Sequence, residues 1–227
     1  MSIHRRIVLC LAVMAYAVSG SFAEPLDAAN VNAFDRALMF PYSRGLDVAS
    51  DVTQYAAFLM PAVFLLAAPV EDYPEVGLMY AGSSALALGA RFGMKAAFER
   101  DRPYMYFDAS SLGPDQIEDS NKSFPSGHTI MAFSGAAFTA TMFALRYPDS
   151  PYRLPATVAS FALAGSTAVM RVASGSHFTS DVIAGALIGT ATGFLVPFIA
   201  TKLGAFGDGK RSQIVASPVG FAYRYVY

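Results

Sequence analysis

The chain has 227 residues, of which 54% are hydrophobic and only 15% are charged, and its formal net charge is −1. This composition excludes a disordered tail, a coiled coil and a nucleic-acid binder with a broad basic face. Soluble domains usually have about a quarter of their residues charged, so the low charge and the mean hydropathy of +0.40 favour a membrane protein. The single cysteine, Cys10, leaves no internal disulfide to form.

Residues 1–23 have the pattern of an export signal. A basic start at His4–Arg6 is followed by the apolar run Ile7–Val18 and by small residues that lead to Ala23. We expect cleavage after Ala23, which leaves residues 24–227 as a single domain. An uncleaved membrane anchor is the alternative, although the apolar run is short compared with the about 20 residues of a membrane span.

Five runs without a charged residue follow in the remaining chain. They are rich in Ala, Leu, Phe and Gly, and none alternates with the period of two that is typical of a half-buried strand. The pattern predicts an all-α fold, a bundle of about five membrane-spanning helices. Glycines at 185, 189 and 193 predict a close approach between two of these helices. A soluble helical bundle with an alanine-rich core is the alternative. The runs are Val52–Val70, Val76–Ala90, Thr129–Leu145, Leu154–Met170 and Val182–Thr201.

Basic residues predict how the bundle is oriented in the membrane. With the basic N-terminus inside, successive crossings place Arg146, Arg153 and the tail 202–227 on the inner side. The acidic connection 71–75 then lies inside without a cation, but acidic residues have little weight in this rule. The segment Asn30–Asp51 is interpreted as an amphipathic stretch along the membrane surface, and the tail receives no role.

Three polar clusters lie next to the helix ends that this topology places outside. Removal of the signal also removes His4, so both remaining histidines of the chain belong to these clusters. The clusters are Lys95 to Arg102-Pro103, then Pro125-Ser126-Gly127-His128, and then Arg171 to His177 and Asp181.

Cations dominate the clusters, and their chemistry points to a bound anion. Lys95, Arg102 and Arg171 are costly at apolar helix ends unless an anion balances them. Phosphate fits, because guanidinium groups bind its oxygens in pairs. Ser126 and Gly127 precede a predicted helix, whose free N–H groups and dipole also favour an anion.

The two histidines and the aspartate supply groups for phosphoryl transfer. Asp181 follows His177 by four residues and shares its helical face if that segment is helical. A carboxylate there holds one imidazole nitrogen protonated and leaves the other free to attack phosphorus. His128 is then suited to protonate the departing oxygen as a general acid.

Each cluster also has a simpler interpretation. Lys95 alone fits a lysine that extends to the membrane interface, and Pro125–Gly127 alone fits an ordinary helix start. His177, Asp181 and His128 also match a metal site with two histidines and one carboxylate, although the nearby cations would repel a divalent ion. The three clusters in order favour the phosphate site.

Together the clusters resemble the signature of the type 2 phosphatidic acid phosphatase superfamily. That signature reads Lys-x6-Arg-Pro, then Pro-Ser-Gly-His, then Ser-Arg-x5-His-x3-Asp, and this chain departs from it at Met170, where the family usually has Ser. The superfamily includes membrane lipid phosphatases, bacterial class A acid phosphatases and vanadium haloperoxidases. The resemblance implies phosphate hydrolysis with no metal and no cofactor.

Carried over position by position, the resemblance implies a role for each site residue. His177 takes the phosphoryl group, Asp181 orients His177, and His128 is the acid for the leaving group and then the base for water. The departure at Met170 affects the fine geometry of the site but not the type of reaction that the motifs imply. The phosphate oxygens would be held by Lys95, Arg102, Ser126, Gly127 and Arg171.

We therefore expect a metal-independent phosphatase that hydrolyses a lipid phosphate or diphosphate through a phosphohistidine, at the periplasmic face of a bacterial inner membrane. The substrate classes considered are isoprenoid diphosphates, phosphatidic acid, phosphatidylglycerophosphate and lipid A phosphates. The alternatives are a soluble periplasmic acid phosphatase for small phosphomonoesters, a haloperoxidase and a non-catalytic membrane scaffold. The sequence does not determine the oligomeric state.

Overall fold

The computed structural model describes residues 25–108 and 112–204, together with the backbone of 212–217 and 220–225. The expected signal segment lies outside these residues. In chain order, the helices are α1 Ala33–Arg36, α2 Arg44–Leu59, α3 Phe64–Ala67, α4 Tyr73–Ala97, α5 Pro114–Glu118, α6 Gly127–Arg146, α7 Arg153–Ala173 and α8 Thr179–Lys202. The strands β1 Ser212–Ser217 and β2 Gly220–Tyr225 pair antiparallel in the tail.

Each of the five uncharged runs lies largely within helical structure, which confirms the predicted all-α bundle. A 3-10 turn at Met60–Val63 joins α2 to α3. In the described part of the chain, four helical segments are long and apolar enough to cross a membrane: Arg44–Ala67, α6, α7 and α8. The helix α4 is 25 residues long but less apolar, and Arg91 and Lys95 lie in its last two turns.

The helix α6 is the centre of the bundle. About two thirds of the residues in its apolar stretch are buried, whereas about a third are buried in the other candidate membrane spans. It packs against α2, α4, α7 and α8. Those outer helices expose large apolar side chains, which is the arrangement expected where lipid replaces water around the protein. Examples of these exposed side chains are Val52, Leu78, Leu154, Val158 and Leu187.

The predicted glycine face brings α8 against α6. A Cβ atom at Gly189 would meet the carbonyl oxygen of Ile130 and approach Cβ of Phe133 to 2.9 Å. A Cβ atom at Gly193 would lie 2.9 Å from the backbone nitrogen of Phe138. The absence of side chains at these positions therefore allows the two backbones to touch, as the four-residue spacing predicts.

At the end of the bundle opposite the polar motifs, the acidic segment 71–75, which leads into the first turn of α4, has a basic partner. Arg146, at the end of α6, lies 3.2 Å from Glu75 and 3.9 Å from Asp72. The hydroxyl of Tyr147 also donates to Asp72 at 2.8 Å. The sequence-based topology left this connection without a cation, and the structure corrects that point, because the bundle places Arg146 beside it.

Candidate active site

The three polar motifs meet at one end of the bundle. Lys95 lies in the last turn of α4, and Arg171 lies in the last turn of α7. Asp181 lies in the first turn of α8. Ser126 caps the start of α6, so Gly127 and His128 begin that helix. Helices that follow one another in the chain run in opposite directions, so α6 and α8 begin at the end of the bundle where α4 and α7 finish.

His177 lies in the tight connection between α7 and α8 and is almost completely buried. Its backbone N–H donates to the carbonyl of Arg171 at 3.1 Å. Gly175 makes this connection possible, because its φ is +70° and a Cβ atom there would lie 2.8 Å from the carbonyl oxygen of Pro41. The backbone thus fixes His177 at the end of the bundle.

Burial and nearby cations hold the pKa of His177 well below its ordinary value of 6.5. Burial is the largest cause, followed by the positive charges of Arg102, Arg171 and Lys95. The imidazole is therefore neutral at neutral pH. A neutral imidazole has a free lone pair, which a nucleophile requires.

Asp181 lies beside His177, but not on a shared helical face. His177 precedes the helix, which begins at Thr179, so the four-residue spacing spans the helix start. The Nδ1 atom of His177 lies 3.8 Å from Oδ2 of Asp181, which is longer than a hydrogen bond. That oxygen accepts instead from Ser123 Oγ at 2.6 Å and from the N–H of Phe178 at 2.9 Å.

The three predicted cations all have partners within the protein. Arg171 is buried and forms an ion pair with Asp47, and its Nη1 also donates to Ser50 at 3.2 Å. Arg102 donates from Nε to the carbonyl of Asp119 at 2.9 Å. Lys95 donates to the carbonyl of residue 122 at 2.6 Å. Contrary to the sequence-based expectation, these cations do not depend on a bound anion alone.

Ser126 and Gly127 have clear local roles at the start of α6. The hydroxyl of Ser126 accepts from the hydroxyl of Thr129 at 2.9 Å, and its N–H donates to the carbonyl of Asp181 at 3.1 Å. A Cβ atom at Gly127 would lie 2.7 Å from Nε of Arg91. The glycine therefore makes room for a fourth cation, Arg91, which lies one turn before Lys95 on α4.

His128 has a carboxylate partner that sequence reasoning missed. Its Nε2 lies 2.7 Å from Oδ1 of Asp51 on α2. Asp51 and Asp47, one turn apart on this helix, contact His128 and Arg171 respectively. Asn30–Asp51 was interpreted as a stretch on the membrane surface, and this is wrong for its last eight residues, 44–51, which begin α2. The four-residue spacing of the two aspartates was the available signal.

Within the described ranges, no group of three or more His, Cys, Asp and Glu side chains is arranged to hold a metal ion. The alternative of a metal site with two histidines and one carboxylate therefore has no support in the geometry. Three buried nitrogens in the same region have no hydrogen-bond partner among the described residues: Nε of Arg91, Nε of Arg171 and Nδ1 of His177. Buried donors of this kind commonly mark a place where a ligand or water binds.

The pattern of the PAP2 superfamily matches residues 76–204, more than half of the chain. The chain therefore belongs to the PAP2 superfamily, and the resemblance of the motifs is confirmed. Both the matched range and the helical bundle contain all three motifs.

Two lipid A 1-phosphatases are similar to this chain over part of its length. The one from Porphyromonas gingivalis is 33% identical over 103 residues, which are 45% of this chain and 19% of that protein. The one from Rhizobium johnstonii is 36% identical over 113 residues, which are 49% of this chain and 42% of that protein. The chain thus spans less than half the length of either relative.

One solved structure has a similar fold. It is described as the first transmembrane PAP2 type phosphatidylglycerolphosphate phosphatase from Bacillus subtilis. Its TM-score is 0.52 at 19% identity, and the match covers 88% of this chain and 97% of that one. At this identity, the likeness extends to the fold alone.

Proposed function

We propose that the chain is a metal-independent phosphatase that hydrolyses a phosphorylated lipid through a phosphohistidine. One observation carries this proposal: His177 is a buried, neutral imidazole in the field of three cations, and its Nδ1 has no hydrogen-bond partner among the described residues. Such a site combines a nucleophile with fixed positive charge for the phosphoryl oxygens.

The first half of the reaction transfers the phosphoryl group to the protein. A lone pair of the His177 imidazole forms a bond to phosphorus while the bond from phosphorus to the lipid oxygen breaks. His128 gives its proton to that oxygen, and the lipid leaves as an alcohol or a monophosphate. Lys95, Arg102 and Arg171 hold the phosphoryl oxygens, together with the first-turn amides after Ser126.

The second half returns the site to its starting state. His128, now neutral, takes a proton from water while the water oxygen forms a bond to phosphorus. The bond from phosphorus to His177 breaks, and inorganic phosphate leaves. The negative charge of Asp181, whose Oδ2 lies 3.8 Å from Nδ1 of His177, stabilises the positive charge on the phosphorylated imidazole.

The membrane setting and the relatives support a lipid substrate. Among the classes of lipid phosphate considered from the sequence, the two lipid A 1-phosphatases favour a lipid A phosphate. We assign the motif end of the bundle to the periplasmic face of the bacterial inner membrane. Arg146 and Arg153 at the opposite end support this orientation, because short inner loops are rich in arginine and lysine.

A phosphate-release screen tests the function. The full chain, purified in detergent, is given lipid A, phosphatidylglycerophosphate, phosphatidic acid, an isoprenoid diphosphate and small soluble phosphomonoesters, with and without a chelator. We expect the wild-type protein to release phosphate from a lipid phosphate at a rate that the chelator does not change and that vanadate inhibits. The His177→Ala variant should release no phosphate. A preference for the small soluble esters would support the soluble acid phosphatase alternative. A loss of activity in the chelator that one divalent ion restores would contradict the histidine mechanism.

A further inference from the structure

The segment before the first long helix contributes a fully buried carboxylate near the candidate active site. This carboxylate is Asp35 on α1, and it lies outside the residues 76–204 that match the superfamily. Its Oδ2 accepts from Nη2 of Arg100 at 2.7 Å and from Nδ2 of Asn32 at 2.8 Å. Its Oδ1 accepts from the N–H of Ser180 at 2.9 Å. A side chain from a separate part of the chain is therefore fixed to the start of α8.

Arg100 connects this carboxylate to Asp181. Its Nη2 donates to Asp35, and its Nη1 donates to Oδ1 of Asp181. Both carboxylates are buried, while the Arg100 side chain as a whole is about a quarter exposed. The guanidinium also stacks over the ring of Phe178, 4.1 Å from the ring centre. A planar guanidinium held at both ends in this way keeps one orientation.

The backbone around Arg100 strengthens the connection. Its N–H donates to the carbonyl of Asn121 at 2.9 Å, and its own carbonyl accepts from the N–H of Ser123 at 2.9 Å. Arg100 and Ser123 are therefore neighbours, and each binds a different oxygen of Asp181. Together with the N–H of Phe178, they fix the carboxylate next to His177.

The charges in this cluster are unequal. Two carboxylates share one guanidinium, so the trio of Asp35, Arg100 and Asp181 has one negative charge in excess. Burial alone would raise the pKa of Asp35, but its hydrogen bonds with Arg100, Asn32 and Ser180 hold that pKa below the ordinary value. Asp35 is thus ionised at neutral pH and competes with Asp181 for Arg100.

We infer that Asp35 is a positioning residue for the reaction at His177, acting through Arg100 on Asp181. By binding one side of the guanidinium, Asp35 prevents Arg100 from neutralising Asp181 fully and from drawing it further from the imidazole. Asp181 then retains the negative charge that stabilises His177 when its ring carries the phosphoryl group. This inference rests on the proposed function.

A purely structural role for Asp35 makes a different prediction. Asp35 also binds the N–H and the hydroxyl of Ser180, so it stabilises the start of α8 as a capping residue would. Loss of a capping residue lowers the fraction of folded protein, and this effect is the same whether or not Asp181 is ionised. A positioning residue that acts through Asp181 affects kcat only while Asp181 is ionised.

A double-mutant cycle with Asp35→Asn and Asp181→Asn separates these roles. On the lipid phosphate found in the screen, we expect Asp35→Asn to lower kcat by about 10-fold to 100-fold, the range typical of outer-shell partners at metal sites, with KM little changed. In the Asp181→Asn background, the same change should have no further effect on kcat. The matched control is Asp27→Asn, an exposed aspartate of the same segment, which should leave both constants unchanged.

The outcomes of this cycle are distinct from those of the screen. A wild-type chain that releases no phosphate contradicts the proposed function, and the inference falls with it. With an active wild type, an equal loss of kcat in both backgrounds overturns the inference alone. If Asp35→Asn does not fold, Arg100→Lys is used in the same cycle, because lysine pairs with one carboxylate only. Failure of both variants to fold shows a structural clamp and also overturns the inference.

Discussion

The two histidines of the candidate site have different surroundings. His177 is buried with Nδ1 unpartnered among the described residues, whereas Nε2 of His128 contacts Asp51 and its side chain is a quarter exposed. A buried neutral ring suits attack on phosphorus, and a ring next to a carboxylate suits proton transfer. This contrast supports the roles that the motifs imply.

Substitution of each histidine should separate the two roles. We expect His177→Ala to abolish turnover of every substrate, because no other group replaces its bond to phosphorus. His128→Ala should lower kcat on an alkyl phosphate by about two to four orders of magnitude, the usual contribution of a general acid. On an activated aryl phosphate, His128→Ala should recover in part, because that leaving group needs no proton.

The measurement is kcat for both variants on a lipid phosphate and on nitrophenyl phosphate, with size-exclusion profiles as the control for folding. Recovery of His177→Ala, rather than His128→Ala, on the aryl phosphate would exchange the two assignments.

The low pKa of His177 gives a pH prediction. Because the neutral ring is the nucleophile, protonation of His177 removes activity on the acid side, as pH falls through the pKa of His177, which burial, Arg102, Arg171 and Lys95 hold well below 6.5. Arg102→Gln removes the largest single cationic contribution and should raise that pKa. The acid limb of the kcat/KM profile should therefore move to higher pH.

The profile of Arg102→Gln is compared with wild type and with Arg36→Gln, which removes an exposed cation. The ionisation of the substrate is the same in all three, so it cannot produce a difference between them. An acid limb at the same pH in all three proteins would show that the charge of Arg102 does not set the pKa of His177.

At the residue scale, fixed spacing decided what could be predicted. His177, Asp181, His128 and the motif cations stand at defined intervals in the chain, so the pattern indicated them before the structure was known. The carboxylates Asp35, Asp47 and Asp51 belong to none of the motifs, and the four-residue spacing of Asp47 and Asp51 does not identify their partners. Each acquires its partner only when α1 or α2 packs against the ends of later helices.

At the scale of elements, the contact between α6 and α8 positions the site. These two helices begin with Ser126 and Asp181, which are joined by a hydrogen bond from the N–H of Ser126. Further along the two helices, away from the site, the glycines of α8 determine how closely the helix backbones approach. Any separation of the two helices should therefore displace Asp181 relative to the start of α6.

Gly189→Ala tests this arrangement. The new methyl group would meet the backbone of Ile130 and Cβ of Phe133, so the helices must move apart. We expect a loss of about 1–3 kcal/mol in stability, the usual cost of overpacking, together with a lower kcat. The control is Gly165→Ala on α7, where a Cβ atom has no neighbour within 4 Å.

Thermal unfolding in detergent and kcat are measured for both variants. Gly165→Ala should be neutral or stabilised by up to about 1 kcal/mol, because alanine favours the helix more than glycine does. Equal stability of the two variants would contradict a packing role for Gly189.

Helix bounds show where sequence reasoning about elements was incomplete. The uncharged runs end wherever a charged residue occurs. The helices extend past these charges: α2 begins at Arg44, and α4 continues to Ala97, beyond Arg91 and Lys95. Charges normally end an apolar run, but here they lie at the site end of the bundle and have polar partners. The helices can therefore continue through them.

At the scale of the whole molecule, the apolar surface determines where the protein resides. Among the residues that the structure describes, four helical segments are long and apolar enough to cross a membrane, and most of their residues outside α6 are not buried in the protein. We expect the protein to stay in the pellet when membranes are washed with alkaline carbonate, and to be extracted by detergent. The measurement is the distribution of the chain between pellet and supernatant. Recovery in the soluble periplasmic fraction would support the acid phosphatase alternative.

The sequence by itself determined the class of fold, the superfamily and the motif residues of the site. Composition and uncharged runs reflect the transfer of whole segments into an apolar environment, which depends on local content and hardly on partners. Motif spacing is likewise a property of the chain alone. These features could therefore be predicted without the structure.

Only the tertiary structure decided which groups hold the motif residues in place. Arg171 is paired with Asp47, His128 with Asp51, and Asp181 through Arg100 with Asp35. The pKa of His177 likewise depends on burial and on cations from separate helices and loops. Such interactions depend on distances in space, which bear no fixed relation to separation along the chain, so residue spacing alone does not reveal them.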